Sequence, residues 1–246
     1  MEKNIFLIIE YRGKNYSGWQ RQKNGLSVQE VIENALFKLT NQEVKLIGSG
    51  RTDAKVNALG QCANFHIDSS IPASRFYMAL NSLLPEDIRI LTSYEVDKDF
   101  HSRYSAVGKH YRYTILNRNV ASAIYKDSTY HVRQDLDVDK MIKAASFFVG
   151  EHDFRAFMAS GSNVKKTVRT IYTLDITQDG PLIHIDIVGN GFLYNMVRII
   201  AGTLLQIGKG EIPWDKVMDI ILSKNRQMSG PTLRAQGLCL VEVFYN

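Results

Sequence analysis

Cysteine is scarce. Cys62 and Cys239 are the only two in 246 residues, and each sits alone in an apolar run, outside any Cys-x-x-Cys or Cys/His cluster. That spacing argues against a structural metal. The six histidines offer no metal-ligand spacing either. Long hydrophobic runs are also missing. The apolar stretch from Ile5 to Ile9 is cut short by Glu10 and Arg12, too soon for a signal peptide or a membrane span. Free, buried thiols suit a reducing compartment, so a cytoplasmic protein is expected. The chain has no Gly-x-Ser-x-Gly elbow, no Walker loop and no Gly-x-Gly-x-x-Gly opening a helix. Those absences remove hydrolases of the nucleophile-elbow type, P-loop enzymes and dinucleotide enzymes. Only one carboxylate, Asp53, has a distinctive setting, so a paired-carboxylate glycosidase is not suggested.

What is present is ordinary in bulk: 45% hydrophobic and 22% charged residues, as in a soluble globular chain able to bury a core. Thirty Lys and Arg against twenty-five Asp and Glu leave a formal charge of +5, which leans towards an anionic partner. Cations recur beside aromatics, in Tyr11-Arg12, in Trp19-Gln20-Arg21 and in Lys109-His110-Tyr111-Arg112-Tyr113. A surface that tracks phosphates and stacks bases needs that mixture, although a solvated strand face would carry it too.

The periodicity predicts a strand from Asn4 to Arg12, then a helix opened by Ser27 with Glu30 as capping box and an apolar face of Val28, Val31, Ile32, Ala35, Leu36 and Leu39. Short strands are expected at Glu43–Ile47 and Gln61–Ile67, a helix at Ser74–Leu84 and a strand at Ile88–Glu95. A similar order follows. Lys109–Leu116 reads as a strand, Asp137–Val149 as a helix, and Thr167–Thr177 and Leu182–Val188 as strands joined by a turn at Gln178–Pro181. Phe192–Ile207 and Pro213–Leu222 read as helices and Gly237–Tyr245 as a closing strand. The expectation is an α+β chain of two ferredoxin-like (split βαβ) halves, residues 1–100 and 101–246. Together they would form a continuous antiparallel sheet with helices on one face and an RNA-binding cleft on the other.

The stretch Gly48–Gln61 is expected to be a glycine-rich loop between two of those strands, with Arg51, Thr52 and Asp53 in succession. Loops on a rigid sheet concentrate catalytic side chains, while the bland alternative makes Thr52 and Asp53 turn formers. A buried Asp53 would stay ionised only beside a cation, and Arg198, a charge on the apolar helix around Tyr194–Ile200, needs a counterion in turn. Alternation puts Tyr111 and Tyr113 on one strand face and His110 and Arg112 on the other. Tyr111 could stack on a base or serve as a core aromatic. These features leave an enzyme and an RNA-binding module equally open.

Gly50-Arg51-Thr52-Asp53-Ala54, followed by Val56, Ala58, Leu59, Gly60 and Gln61, resembles the G-R-T-D-A-G-V-H-A motif of the tRNA pseudouridine synthase A family. Other family-like stretches follow in order: Phe100–Ala106, Lys109–Tyr113, Gly189–Leu193 with Met196-Val197-Arg198, Gly202-Thr203-Leu204, and Gly237–Leu240. They span essentially the whole chain. The resemblance implies isomerisation of uridine to pseudouridine at positions 38–40 of the tRNA anticodon stem-loop, in a homodimer, without metal or organic cofactor. It makes Asp53 the catalytic carboxylate, Tyr111 the contact to the target base and candidate for removing the C5 proton, and Arg198 the cation paired with the aspartate. Arg51 would help hold the flipped-out state and Leu238 would form an apolar wall near the base. Lys55 stands where the family has glycine and Asn57 where it has histidine. These departures leave room for a paralogue acting on another structured RNA, or for a scaffold that binds RNA without turning it over.

Overall fold

The computed structural model describes residues 2–161 and 164–246. It divides into two compact units, the chain up to Val107 together with Leu240–Asn246, and Gly108–Cys239. The α+β class expected from the sequence is the class adopted: antiparallel strands with helices packed against them.

In the first unit, β1 (Glu2–Tyr11) buries Ile5, Leu7, Ile9 and Tyr11 on one face and carries Asn4, Phe6 and Ile8 on the other. Helix α1 (Val28–Thr40) starts where the capping box places it, with the Ser27 hydroxyl accepting the Glu30 N–H at 3.2 Å. It buries Val28, Ile32, Ala35 and Leu36 as an amphipathic face should. Strands β2 (Ile47–Gly48) and β3 (Asn57–Asp68) flank the glycine-rich loop, and α2 (Phe76–Asn81) and β4 (Ile88–Val96) follow. The strand order is β4-β1-β3-β2, every neighbouring pair antiparallel. Phe76 meets Phe65 edge to face at 5.5 Å, and Phe65 lies opposite Ile5 in register, so α2 covers the Ile5 face.

Three expectations change here, the first being that β3 begins at Asn57, inside the loop expected at Gly48–Gln61. The strand expected at Glu43–Ile47 shrinks to Ile47–Gly48. Two buried side chains of α1 take the backbone groups that a ladder would have used: Glu33 Oε1 accepts the Leu46 N–H at 3.0 Å and Gln29 Nε2 donates to the Leu46 carbonyl at 3.2 Å. The helix expected at Ser74–Leu84 keeps regular α geometry only from Phe76 to Asn81, where Asn81 exchanges two hydrogen bonds of 2.8 Å with Ile90 of β4.

In the second unit, β5 (Ala106–Asn117) is followed by β6 (Tyr130–Val132), α3 (Val138–Ala145), β7 (Gly150–Asp153), β8 (Val168–Asp179), β9 (Leu182–Gly189), α4 (Met196–Gly208) and α5 (Val217–Ser223). The order β5-β9-β8-β7 is antiparallel, with β6 parallel to the end of β5. The turn after β8 is closed by Gly180 at φ 53°. Tyr113, Ile115, Ile183, Ile185 and Ile187 are fully buried on one face. Helix α4 is buried along most of its circumference, as its apolar sequence requires. It begins later than the expected Phe192, because Asn195 adopts a left-handed conformation (φ 59°) that breaks the helix on its N-terminal side. The last strand, β10 (Leu238–Tyr245), ends in the first unit, where it neighbours β3.

The opposite face of β5 and β9 carries a polar cluster. Asp186 accepts from His110 Nε2 at 2.6 Å and from Arg112 Nε at 2.9 and 3.1 Å. Burial alone would raise the Asp186 carboxyl, but these donors outweigh it and hold it below the usual carboxylate range. A carboxylate whose folded-state pKa is depressed stabilises the fold at neutral pH, and that stability is lost as pH falls through the folded value. Asp186→Asn should therefore lower stability by about 1–3 kcal/mol near neutral pH. The gap between variant and wild type should close in denaturant titrations taken below about pH 4. A gap that persisted unchanged in acid would show that charge at Asp186 is not the stabilising element.

Candidate functional site

The loop expected to carry the chemistry joins β2 to β3 and is fixed at its base and along one flank. At the base, the fully buried Ser49 donates its hydroxyl to Gln61 Oε1 at 2.6 Å. Gln61 Nε2 reaches the Gly50 carbonyl at 3.1 Å, and the Ser49 N–H bonds to the Cys62 carbonyl at 2.8 Å. Along the flank runs the turn after β1. The Trp19 N–H donates to the Thr52 carbonyl at 3.1 Å, and the Tyr11 and Thr52 hydroxyls share a hydrogen bond of 2.7 Å. Gly18 sits at φ 96°, and a Cβ there would lie 2.5 Å from the Thr52 oxygen. Only glycine lets the two backbones approach so closely.

The same turn grips the loop beyond Asp53. The Lys55 N–H donates to the Tyr16 carbonyl at 3.3 Å, the Gly13 N–H donates to Asn57 Oδ1 at 2.9 Å, and the Val56 N–H closes onto the Asp53 carbonyl at 3.2 Å. Asp87 holds the turn in its own place, accepting from the Tyr16 hydroxyl at 2.5 Å and from Asn15 Nδ2 at 2.8 Å. Burial first, and then that carboxylate, raise the Tyr16 phenol well above its ordinary range, so it stays a donor. The backbone of Thr52 and Asp53 is thus anchored on both sides. Thr52 is buried, Asp53 half-buried, and Arg51 and Lys55 are exposed. Neither Arg51 nor Lys55 makes an ion pair among the described residues. Sequence reasoning missed Tyr11, Gly18, Trp19, Gln61 and Asp87 as the loop's supports. The Gly18-Trp19 pair and the carboxylate after Pro85 were the available signals.

The expected site residues divide between the units. Arg51 and Asp53 belong to the first, and Tyr111, Arg198 and Leu238 to the second. Tyr111 is 9% exposed, with its ring edge to face with Phe192 at 5.3 Å. Tyr113, two residues on and on the same face, is fully buried and donates its hydroxyl to the Arg234 carbonyl at 2.8 Å. Burial pushes the Tyr113 phenol far up, against the opposing pull of the Arg198 charge. Arg198 lies in the first turn of α4 and is half-buried. Its Nε donates to the Leu233 carbonyl at 2.7 Å and its Nη1 to Asn195 Oδ1 at 2.6 Å. Leu238 is buried at the start of β10, beside Gly237, which packs on the Tyr113 ring. Within the second unit, the tyrosine pair, the guanidinium and the leucine form one neighbourhood around Tyr113. Among the described residues there is no cluster of three or more metal-ligating side chains, and no helix is long and apolar enough to cross a membrane.

A family model described as tRNA pseudouridine synthase matches residues 7–105 and 144–246. The chain is 52% identical over 243 residues to the tRNA pseudouridine synthase A of Acetivibrio thermocellus, covering 99% of this chain and 100% of that one. It is 51% identical over 244 residues to the protein of the same name from Ruminiclostridium cellulolyticum, again covering 99% and 100%. It is 48% identical over 243 residues to that of a Thermoanaerobacter species, with the same coverage. Tyr111 falls between the two segments of the family match but inside the span of these full-length relatives.

Lys55 adopts φ 68°, a left-handed conformation that costs a non-glycine residue about 1–2 kcal/mol. Glycine recovers that strain but adds freedom to the unfolded chain. Lys55→Gly should therefore raise stability by about 0.5–1 kcal/mol, read as a higher denaturation midpoint at unchanged slope. A lower midpoint would show that the lysine side chain contributes more than its backbone costs.

Proposed function

The chain belongs to the tRNA pseudouridine synthase family, and on that premise we propose that it isomerises uridine at positions 38–40 of the anticodon stem-loop, as a cytoplasmic homodimer, with Asp53 as the catalytic carboxylate. The reaction breaks the N1–C1′ bond, turns the uracil while it is held, and joins C5 to C1′. C5 gives up its proton and N1 acquires one. A paired or stacked uridine cannot do this, so the nucleotide has to leave the stem.

Each assigned side chain answers one of those needs. Asp53 supplies the ionised group at the ribose, and Arg198 the cation that favours its ionised form. Tyr111 meets the base, its ring already held on one edge by Phe192, and accepts the C5 proton. Leu238 gives an apolar wall that keeps water from the intermediate. Arg51, exposed and without an ion pair among the described residues, holds the flipped-out state. The observation that carries the reading is the anchoring of the backbone before and after Asp53 by the turn that follows β1. A carboxylate that must meet C1′ at a fixed distance and angle needs a backbone that does not wander.

The two departures from the family motif leave that anchoring intact. Asn57 provides the acceptor that fixes Gly13, and Lys55 keeps its N–H on Tyr16. This favours turnover over a scaffold that only binds.

Asp53→Ala should abolish tritium release from tRNA labelled at C5 of uridine while leaving tRNA affinity within a few-fold of wild type. Retained release would remove Asp53 from the mechanism. Tyr111→Phe keeps the packing on Phe192 and loses the phenol, so the single-turnover rate should fall by about 10²-fold or more, the usual scale of a lost general base. An unchanged rate would exclude the phenol as the proton acceptor.

A further inference from the structure

The face of the first unit opposite α2 is crossed by the segment from Asp97 to Ser105, which is fastened by buried side chains. Asn4 Nδ2 donates to the carbonyls of Asp97 at 2.8 Å and Phe100 at 3.0 Å. Asn64 Nδ2 donates to Asn4 Oδ1 at 2.8 Å, while Asn64 Oδ1 accepts the Ser102 N–H at 2.9 Å and the Ser102 hydroxyl at 2.8 Å. The Tyr245 hydroxyl donates to the Ser102 carbonyl at 2.8 Å. Phe100 packs on Phe6 at 5.4 Å and on Tyr245 at 5.2 Å. Asn4, Asn64 and Ser102 are all essentially inaccessible. Two buried amides and a buried hydroxyl are spent on fixing a stretch of chain that has no regular structure.

What that stretch presents to solvent is a cation beside two stacked rings. Tyr104 is 77% exposed, more than any other aromatic side chain among the described residues. The His101 ring lies 4.2 Å from the Tyr104 ring at 32°, and the Arg103 guanidinium carbon sits 5.8 Å from the Tyr104 ring centre. The imidazole is itself oriented, because His101 Nδ1 accepts the N–H groups of Arg103 at 3.2 Å and Tyr104 at 3.3 Å. With Nδ1 accepting, the neutral ring carries its proton on Nε2. Arg103 is exposed and makes no ion pair among the described residues.

We propose that His101, Arg103 and Tyr104 form a second RNA contact, in which the exposed tyrosine face stacks on an unpaired nucleobase and the Arg103 guanidinium meets the adjoining phosphate. The contact rests on the tRNA-modifying reading and extends it to a surface that takes no part in bond breaking. An aromatic face beside a free guanidinium is the combination that single-stranded RNA recognises irrespective of sequence. Rigidity matters as much as composition. A flexible loop would lose its conformational freedom on binding, whereas this one has lost it already on folding.

Tyr104→Leu, Tyr104→Phe and Arg103→Gln test the contact, with total tRNA as the probe in filter binding and in tritium-release kinetics. Tyr104→Leu should weaken tRNA binding about ten-fold or more and raise KM accordingly. The kcat and the thermal midpoint should stay at wild-type values, and Tyr104→Phe should restore affinity. Arg103→Gln should reduce the salt dependence of binding by about one phosphate contact. Wild-type affinity in both Tyr104→Leu and Arg103→Gln would overturn the proposal, as would a loss of affinity that tracks a fall in thermal midpoint. If the wild-type chain binds tRNA without releasing tritium, the catalytic reading fails while the affinity comparison still decides this one. If it binds no tRNA, both fall.

Discussion

One close approach between backbones underlies the candidate site: the turn after β1 lies against Thr52 with no side chain between them. Gly18 makes the contact sterically possible, the Trp19 N–H makes it directional, and the Tyr11 hydroxyl satisfies the Thr52 side chain that the contact buries. Each is needed because the others are present. A buried threonine hydroxyl without Tyr11 would cost about as much as the hydrogen bond it lost, and a residue larger than glycine at position 18 would push the turn away and take the Trp19 bond with it. Asp53 inherits its position from this arrangement. The precision of the loop therefore derives from β1 and the approach to β4 as much as from its own sequence, since Asp87, the residue before β4, fixes the turn that fixes Thr52.

The long, strongly patterned elements were legible. Alternation of Ile5, Leu7 and Ile9 in β1, the Ser27–Glu30 box of α1 and the turn before β9 each follow from local rules and appear where those rules place them. Two of the misses share one physical cause, side chains competing with the backbone for hydrogen bonds. Residues 43–46 have a strand's composition, but Gln29 and Glu33 satisfy Leu46 before a neighbouring strand can. Their spacing of four on α1 carries no mark of that destination. At α4 the apolar pattern begins at Phe192, yet Asn195 turns left-handed and its side chain accepts from Arg198, so the helix cannot extend backward. The short strands β6 and β7 have too few residues for any periodicity. The final residues of β10 return to the first unit through contacts that no reading of neighbouring residues contains.

Of the candidate site, sequence reasoning singled out the residues with unusual chemistry and missed their supports. Asp53 and Arg198 stand out because a charge in an apolar or glycine-rich setting needs an explanation. Gln61 and Tyr11 do not, because a glutamine or a tyrosine in a strand is unremarked until its partner is known. Tyr111 and Tyr113 show the limit clearly. Alternation correctly puts them on one face, but it gives both the same character. The fold separates them: Tyr113 is fully buried against Gly237 and bonded to the Arg234 carbonyl, whereas Tyr111 keeps 9% exposure with Phe192 edge to face with its ring. Burial pushes the Tyr113 phenol far above its ordinary range.

The two motif departures show how a loop absorbs change without losing its geometry. A histidine and an asparagine can both present an acceptor to a backbone N–H, and at position 57 the requirement is an acceptor for Gly13, which Asn57 meets at 2.9 Å. Position 55 is harder, since a lysine there must hold a positive φ that glycine holds freely. The strain persists because the residue has no independent choice: its own N–H is held by Tyr16, and the next residue, Val56, is buried and bonded back to Asp53. Strained backbone survives where surrounding contacts over-determine it. The same contacts that fix the backbone on either side of Asp53 hold Lys55 in that conformation. An exposed ammonium two residues from the carboxylate then becomes available at little structural cost, on a surface that a polyanion would have to approach.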